Sequence, residues 1–195
     1  MTQALLDARV DAQDKLDSRS DLQLIAAINA GDAAAFDALY FRYRDWVAGL
    51  AFRFTGSEDL ALDVLQETFL YVLRKFPGFK LTAHFKTFLY PAVKNLSISA
   101  QQKASRYQST ESEQNFLAGL VSAEQPTAEL NELAIVLARL SEEHREALLL
   151  RFVDGLELAE IAEAMNIPLG TVKSRLHNAL TTLRKDERTR EYFGR

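Results

Sequence analysis

The 195-residue sequence contains no cysteine, which excludes disulfide cross-links, thiolate-bound zinc and a thiol nucleophile. Such a chain suits a reducing compartment, and the cytoplasm is the expected location. Long apolar runs are missing from the N-terminus, where Asp7, Asp11, Asp14 and Asp17 leave neither a signal-peptide core nor a membrane span. No membrane insertion is expected. Histidines are few, and His84, His144 and His177 lie far apart with no HExxH pairing; no glycine-rich loop is placed to cradle a phosphate. Catalysis, a metal and a cofactor are all unexpected on these grounds. Positive charge is also in deficit: 23 Lys and Arg stand against 27 Asp and Glu, a net charge of −4. That balance argues against a free-standing DNA binder held mainly by bulk electrostatics. Apolar residues at 48% and charged residues at 26% are the proportions of a chain that buries a core, in one ordinary domain or two small ones.

The charge is unevenly spread. Thr68 to Thr110 contains no acidic residue but includes Arg74, Lys75, Lys80, Lys86, Lys94, Lys103 and Arg106. From Tyr107 to Ala138 the sign inverts, with Glu111, Glu113, Glu124, Glu129 and Glu132 and no lysine or arginine. A charge run is either a solvated helix face or a binding surface. The reversal coincides with a stretch rich in serine and threonine that includes Pro126, which reads as a flexible acidic linker. Helical periodicity runs through both flanks without a strand pattern, so the predicted fold is all-α: two small helical domains joined by that linker. The expected boundaries are 1–20 for a disordered N-terminal extension, 21–106 for the first domain, 107–132 for the linker, 133–188 for the second domain and 189–195 for a tail.

In the first domain, Ser20 and Gln23 form a capping box for a short helix ending at Gly31, and Asp32 caps the next. The second helix carries Phe36, Leu39, Tyr40, Tyr43, Trp46, Val47, Leu50 and Phe54 as a core stripe. Gly56 and Ser57 break and re-cap the chain into a third helix reaching about Phe76. A fourth is predicted over 83–104, with Phe85, Phe88, Leu89, Val93 and Leu96 inward and Lys86, Lys94 and Asn95 facing solvent. Pro91 is expected to kink it.

The second domain gives a sharper pattern. Glu142 to Val153 forms a helix, Asp154 and Gly155 turn, Leu158 to Met165 forms a second, and Asn166, Ile167 and Pro168 turn into a third. On the last helix Val172, Leu176, Ala179 and Leu183 share one face; Ser174, Asn178, Thr181 and Lys185 lie opposite, flanked by Lys173, Arg175 and His177. Residues 157–185 read as a helix-turn-helix whose free face has no acidic residue and carries groups able to meet phosphates and base edges. The bland alternative is an ordinary surface helix of a bundle.

The segment LARLSEEHREALLLRFVDGLELAEIAEAMNIPLGTVKSRL resembles region four of the extracytoplasmic-function (ECF) sigma factors of the sigma-70 family. GDAAAFDALYFRY and ALDVLQETFLYVLRKFPGF resemble their region two. The resemblance implies a non-catalytic subunit that binds core RNA polymerase and promoter DNA, with an anti-sigma factor as a family-level partner. It places Asp63, Gln66 and Glu67 against core polymerase; Lys80, Lys86, Tyr90, Lys94 and Asn95 at the minus-ten element; and Thr171, Lys173, Ser174, Arg175, His177 and Asn178 at the minus-thirty-five element. Tyr90 is equally readable as core packing. The linker is expected in the channel through which nascent RNA leaves. Ser141 and Glu157 replace a common proline and a common serine cap, and Asn178 and Leu180 stand where arginines are frequent. The alternative is a helix-turn-helix regulator that binds a duplex operator without polymerase.

Overall fold

In a computed structural model the described residues are 17–107, 134–186 and 189, and no strand occurs among them. Helix α1 spans Asp21–Asn29, α2 Ala33–Thr55, α3 Glu58–Leu73 and α4 Phe85–Tyr107. After a short helical turn at 134–138 come α5 (Glu142–Phe152), α6 (Leu158–Met165) and α7 (Leu169–Lys185). The expectations for residues 1–16, for the body of the linker and for the C-terminal tail lie outside the described residues.

The local signals act as their chemistry dictates. Ser20 Oγ accepts from Gln23 N while Gln23 Oε1 accepts from Ser20 N, closing the capping box of α1. Asp32 caps α2 through Ala35 N, and Gly56 ends it at φ 64°, a left-handed conformation that a side chain would disfavour. Ser57 then caps α3. That helix stops at Leu73 instead of near Phe76, because Pro77 disfavours helical backbone in the residue before it. Helix α4 begins and ends later than its periodicity suggests, and Pro91 lies within it. Its C-terminal part is held by Gln101, whose Nε2 donates to the Phe54 carbonyl at 2.7 Å.

Helices α2, α3 and α4 pack around Leu39, Val47, Leu50, Val64, Phe69, Leu89 and Val93, with Leu24, Ile25 and Ile28 of α1 closing one side. Each large side chain removed from water there contributes about 1.5–3 kcal/mol. Polar ties complete the bundle. Arg42 donates to Asp21 Oδ1 at 2.6 Å and to the Asp17 and Arg19 carbonyls, while Tyr43 donates its hydroxyl proton to Asp21. Burial and that carboxylate push the Tyr43 phenol well above its ordinary range. Asn29 fastens the loop after α3: its Oδ1 accepts from Gly78 N and Phe79 N, and its Nδ2 donates to Phe79 O.

In the second half, Ser141 caps α5 through His144 N. Asn166 takes the left-handed conformation that ends α6, and Pro168 precedes the first residue of α7. Val172, Leu176, Ala179 and Leu183 are all buried on one face of α7, against a core with Leu148, Leu149, Leu150 and Ile161.

Candidate nucleic-acid interface

Helix α7 lies on its own core, and this leaves its opposite face free. Lys173, Ser174, His177 and Asn178 are exposed there and Thr171 is half-buried. Ser174 Oγ is turned back onto the Thr171 carbonyl at 2.9 Å. Arg175 behaves differently from its neighbours: its side chain is 16% exposed and its Nη2 sits 2.9 Å from Glu143 Oε2. Helix α7 is therefore joined to α5 by an ion pair at the edge of the reading face.

The acid-free stretch of the first half lies on and before α4. Lys80 and Asn95 are exposed. Lys86 and Lys94, expected to face solvent, are half-buried against the second half. Lys86 Nζ donates to the Asp154 carbonyl at 2.9 Å, and Lys94 Nζ lies 2.5 Å from Glu146 Oε1. The expectation treated each domain alone, whereas α4 packs against α6, and the loop between α5 and α6 reaches the neighbouring surface. Tyr90 is 1% exposed, its ring near Phe54 and its hydroxyl without a hydrogen-bond partner. Phe88 packs between Tyr71 and Phe79, as expected for core.

The joint has a centre that sequence reasoning did not identify. The Asp154 carboxylate, 3% exposed, accepts from Trp46 Nε1 at 2.8 Å and from Arg53 Nη2 at 2.6 Å. Trp46, read as core of the first domain, instead points its indole N–H across to the other half. At the periphery His84 Nε2 meets Glu160 Oε1 at 3.1 Å. A cavity of about 250 Å³ remains between the halves, with Arg53, Tyr90, Gln101, Arg145 and Glu146 among its lining residues. Burial drives the Glu146 carboxyl up to about 7, with Arg175 opposing, and pulls the Lys94 ammonium below its ordinary value. No local pattern announces these pairs, since their partners are separated by the linker.

On the far side of the first half, Asp63, Gln66 and Glu67 are exposed along α3 as expected. Leu62, Leu70 and Leu73, at 53%, 43% and 47% exposure, continue the same outer surface. Apolar and acidic side chains together form a stripe suited to a protein partner. The leucines were missed because helical spacing alone assigns apolar residues to the core. Among the described residues no group of His, Asp and Glu could hold a metal ion, and no helix is long and apolar enough to cross a membrane.

Residues 39–107 match the family model for Sigma-70 region 2 and residues 136–185 that for Sigma-70, region 4. The chain is 31% identical over 177 residues to the ECF RNA polymerase sigma factor SigW of Bacillus subtilis, covering 84% of this chain and 95% of that protein. It is 33% identical over 174 residues to the ECF RNA polymerase sigma-E factor of Escherichia coli K12, covering 82% and 90%. Among solved structures it resembles CnrH in complex with the cytosolic domain of CnrY, with TM-score 0.61 and 22% identity over 83% of this chain and 93% of that one. It also resembles the sigma factor RpoE in complex with the anti-sigma factor NepR from Bartonella quintana, with TM-score 0.59 and 23% identity over 77% and 94%. At those identities the structural likeness concerns the fold.

Proposed function

Because this chain belongs to the ECF sigma factors of the sigma-70 family, we propose a residue-level division of labour for its binding of core RNA polymerase and its direction of promoter-specific initiation. The observation that carries it is the presence on one chain of region 2 and region 4, in that order, with an acid-free free face on α7. Residues 21–106 serve polymerase binding, minus-ten recognition and melting; residues 133–188 serve minus-thirty-five recognition. The α3 stripe of Asp63, Gln66 and Glu67, with its flanking leucines, docks on core polymerase. Lys173 and Arg175 hold phosphates, while Thr171, Ser174, His177 and Asn178 approach base edges in the major groove. Lys80, Lys86 and Lys94 support the backbone of the opened minus-ten strand, and Tyr90 and Asn95 approach its unstacked bases. The protein acts as a non-catalytic subunit in the cytoplasm, where polymerase supplies the local concentration that a net charge of −4 does not. An anti-sigma factor is a further partner class, since the structurally similar RpoE is held in a complex with the anti-sigma factor NepR.

Reconstituted transcription from a genomic promoter library, with core polymerase with and without the protein, tests this reading. Start sites that require the protein, share spaced upstream elements and weaken in the Asp63→Ala, Glu67→Ala variant are expected. Absence of core association, with operator binding by the isolated chain, would replace the reading with a duplex-binding regulator.

A further inference from the structure

The loop over 77–83 joins α3 to α4 and carries Lys80, an exposed cation assigned to the minus-ten element. Among the described residues its backbone makes no hydrogen bond to another backbone group. Three hydrogen bonds hold it, and one side chain makes them all. Asn29 Oδ1 accepts from Gly78 N at 2.6 Å and from Phe79 N at 3.1 Å, and Asn29 Nδ2 donates to Phe79 O at 2.8 Å. Gly78, at φ 97°, takes the left-handed backbone that lets two successive N–H groups converge on one oxygen. Asn29 is the last residue of α1, 50 residues before Phe79, and its helix is rooted in the core by Leu24, Ile25 and Ile28. The loop's other attachment is apolar: the Phe79 ring lies 5.5 Å from that of Phe76 and 4.7 Å from that of Phe88. Apolar contact is non-directional, whereas a carboxamide that accepts from two N–H groups and donates to a carbonyl fixes both the place and the direction of the backbone.

We infer that Asn29 is a positioning residue for minus-ten recognition: it fixes the backbone at Gly78 and Phe79, and so sets where Lys80 meets the opened strand. It acts through the loop and not by a contact of its own. The inference rests on the sigma-factor reading above, and within it on the assignment of Lys80. Lys80 follows directly on the residue that Asn29 grips at both its N–H and its carbonyl, so the position of one peptide is handed on to the cation. The minus-thirty-five face has its own support, since α7 rests on its buried side through Val172, Leu176, Ala179 and Leu183. Loss of Asn29 therefore falls on one of the two DNA contacts. A loop released from its hydrogen bonds spends only part of its time in the competent placement, and a loop so placed one-tenth of the time binds about tenfold more weakly.

Holoenzyme reconstituted from core polymerase and the full-length chain provides the test. Asn29→Ala should lower affinity for single-stranded minus-ten DNA about tenfold, while association with core polymerase and binding of minus-thirty-five duplex stay as they were. Asn29→Asp keeps both acceptor bonds and loses only the one to Phe79 O, so its affinity should fall between those of Asn29→Ala and the unaltered protein. A double-mutant cycle separates positioning from a general loosening of the fold: in a Lys80→Ala background the cost of Asn29→Ala should shrink to about twofold, because the cation it places is gone. An undiminished cost in that background overturns the inference, as does an unchanged minus-ten affinity for Asn29→Ala. Equal losses at the minus-ten and minus-thirty-five elements overturn it too, in favour of damage to the whole chain. A Lys80→Ala variant that binds minus-ten DNA normally removes the assignment beneath the inference, and failure of the unaltered protein to direct any initiation sinks the sigma-factor reading, so each failure has its own signature.

Discussion

Glu146 gives the packing of the two halves a pH dependence whose sign opposes that of a simple surface salt bridge. Its carboxyl is 8% exposed and faces Lys94 of α4 and Arg175 of α7, with Glu142 and Glu143 on its own helix. Burial raises its pKa from an ordinary 4.5 to about 7, so the packed arrangement favours the protonated form. The stabilisation linked to that proton is fully present below 4.5 and is lost as pH rises through about 7. At about 1.4 kcal/mol per unit, the whole shift corresponds to about 3 kcal/mol. About 1.4 kcal/mol of it falls between about pH 6 and about pH 8, or about tenfold in the equilibrium between the separated and the packed joint. Trp46 emission followed over that range should report opening as pH rises. Glu146→Gln should flatten the curve and keep the chain closed at the alkaline end. His84 bridges to Glu160 as a cation only when protonated, so a His84→Gln background separates its contribution. Opening on acidification, or opening of Glu146→Gln at alkaline pH, would show that attraction to Lys94 outweighs burial and refute the reasoning.

Other outcomes follow from single contacts. Leu176→Ala removes a buried side chain beneath α7 and should lower the stability of region 4 by about 2–5 kcal/mol in thermal unfolding, whereas exposed Lys173→Ala should leave it unchanged. In DNA titrations at several salt concentrations, Lys173→Ala should reduce the salt slope by about one, across promoter sequences alike. Leu70→Ala on the α3 stripe should stay within about 0.5 kcal/mol of the unaltered stability while weakening co-purification with core polymerase. Asn29→Ala leaves Gly78 and Phe79 without their side-chain acceptor, and hydrogen exchange should reveal faster opening of the loop that carries Lys80.

Short-range chemistry made most of the helices legible. The Ser20 and Gln23 box, the Asp32 cap, the Gly56 stop and the buried face of α7 each depend on residues within a turn or two, and spacing suffices to find them. The joint depended on pairs such as Trp46 with Asp154 and Lys94 with Glu146, distant in sequence and unmarked by any periodicity. Amphipathic spacing assigns an aromatic residue to a core and a lysine to solvent; it carries no record of a second domain arriving on the same surface. For that reason Trp46 was read as interior to one bundle, and Lys86 and Lys94 as free. The same limit hid Leu62, Leu70 and Leu73, apolar residues that the bundle leaves uncovered.

The outer stripe of α3 stays exposed while Lys86 and Lys94 of α4 are engaged by the second half. Docking of polymerase on this stripe, as proposed above, would therefore need no rearrangement of the two halves. The observed rate of association should then rise in proportion to polymerase concentration, with no ceiling set by an internal step.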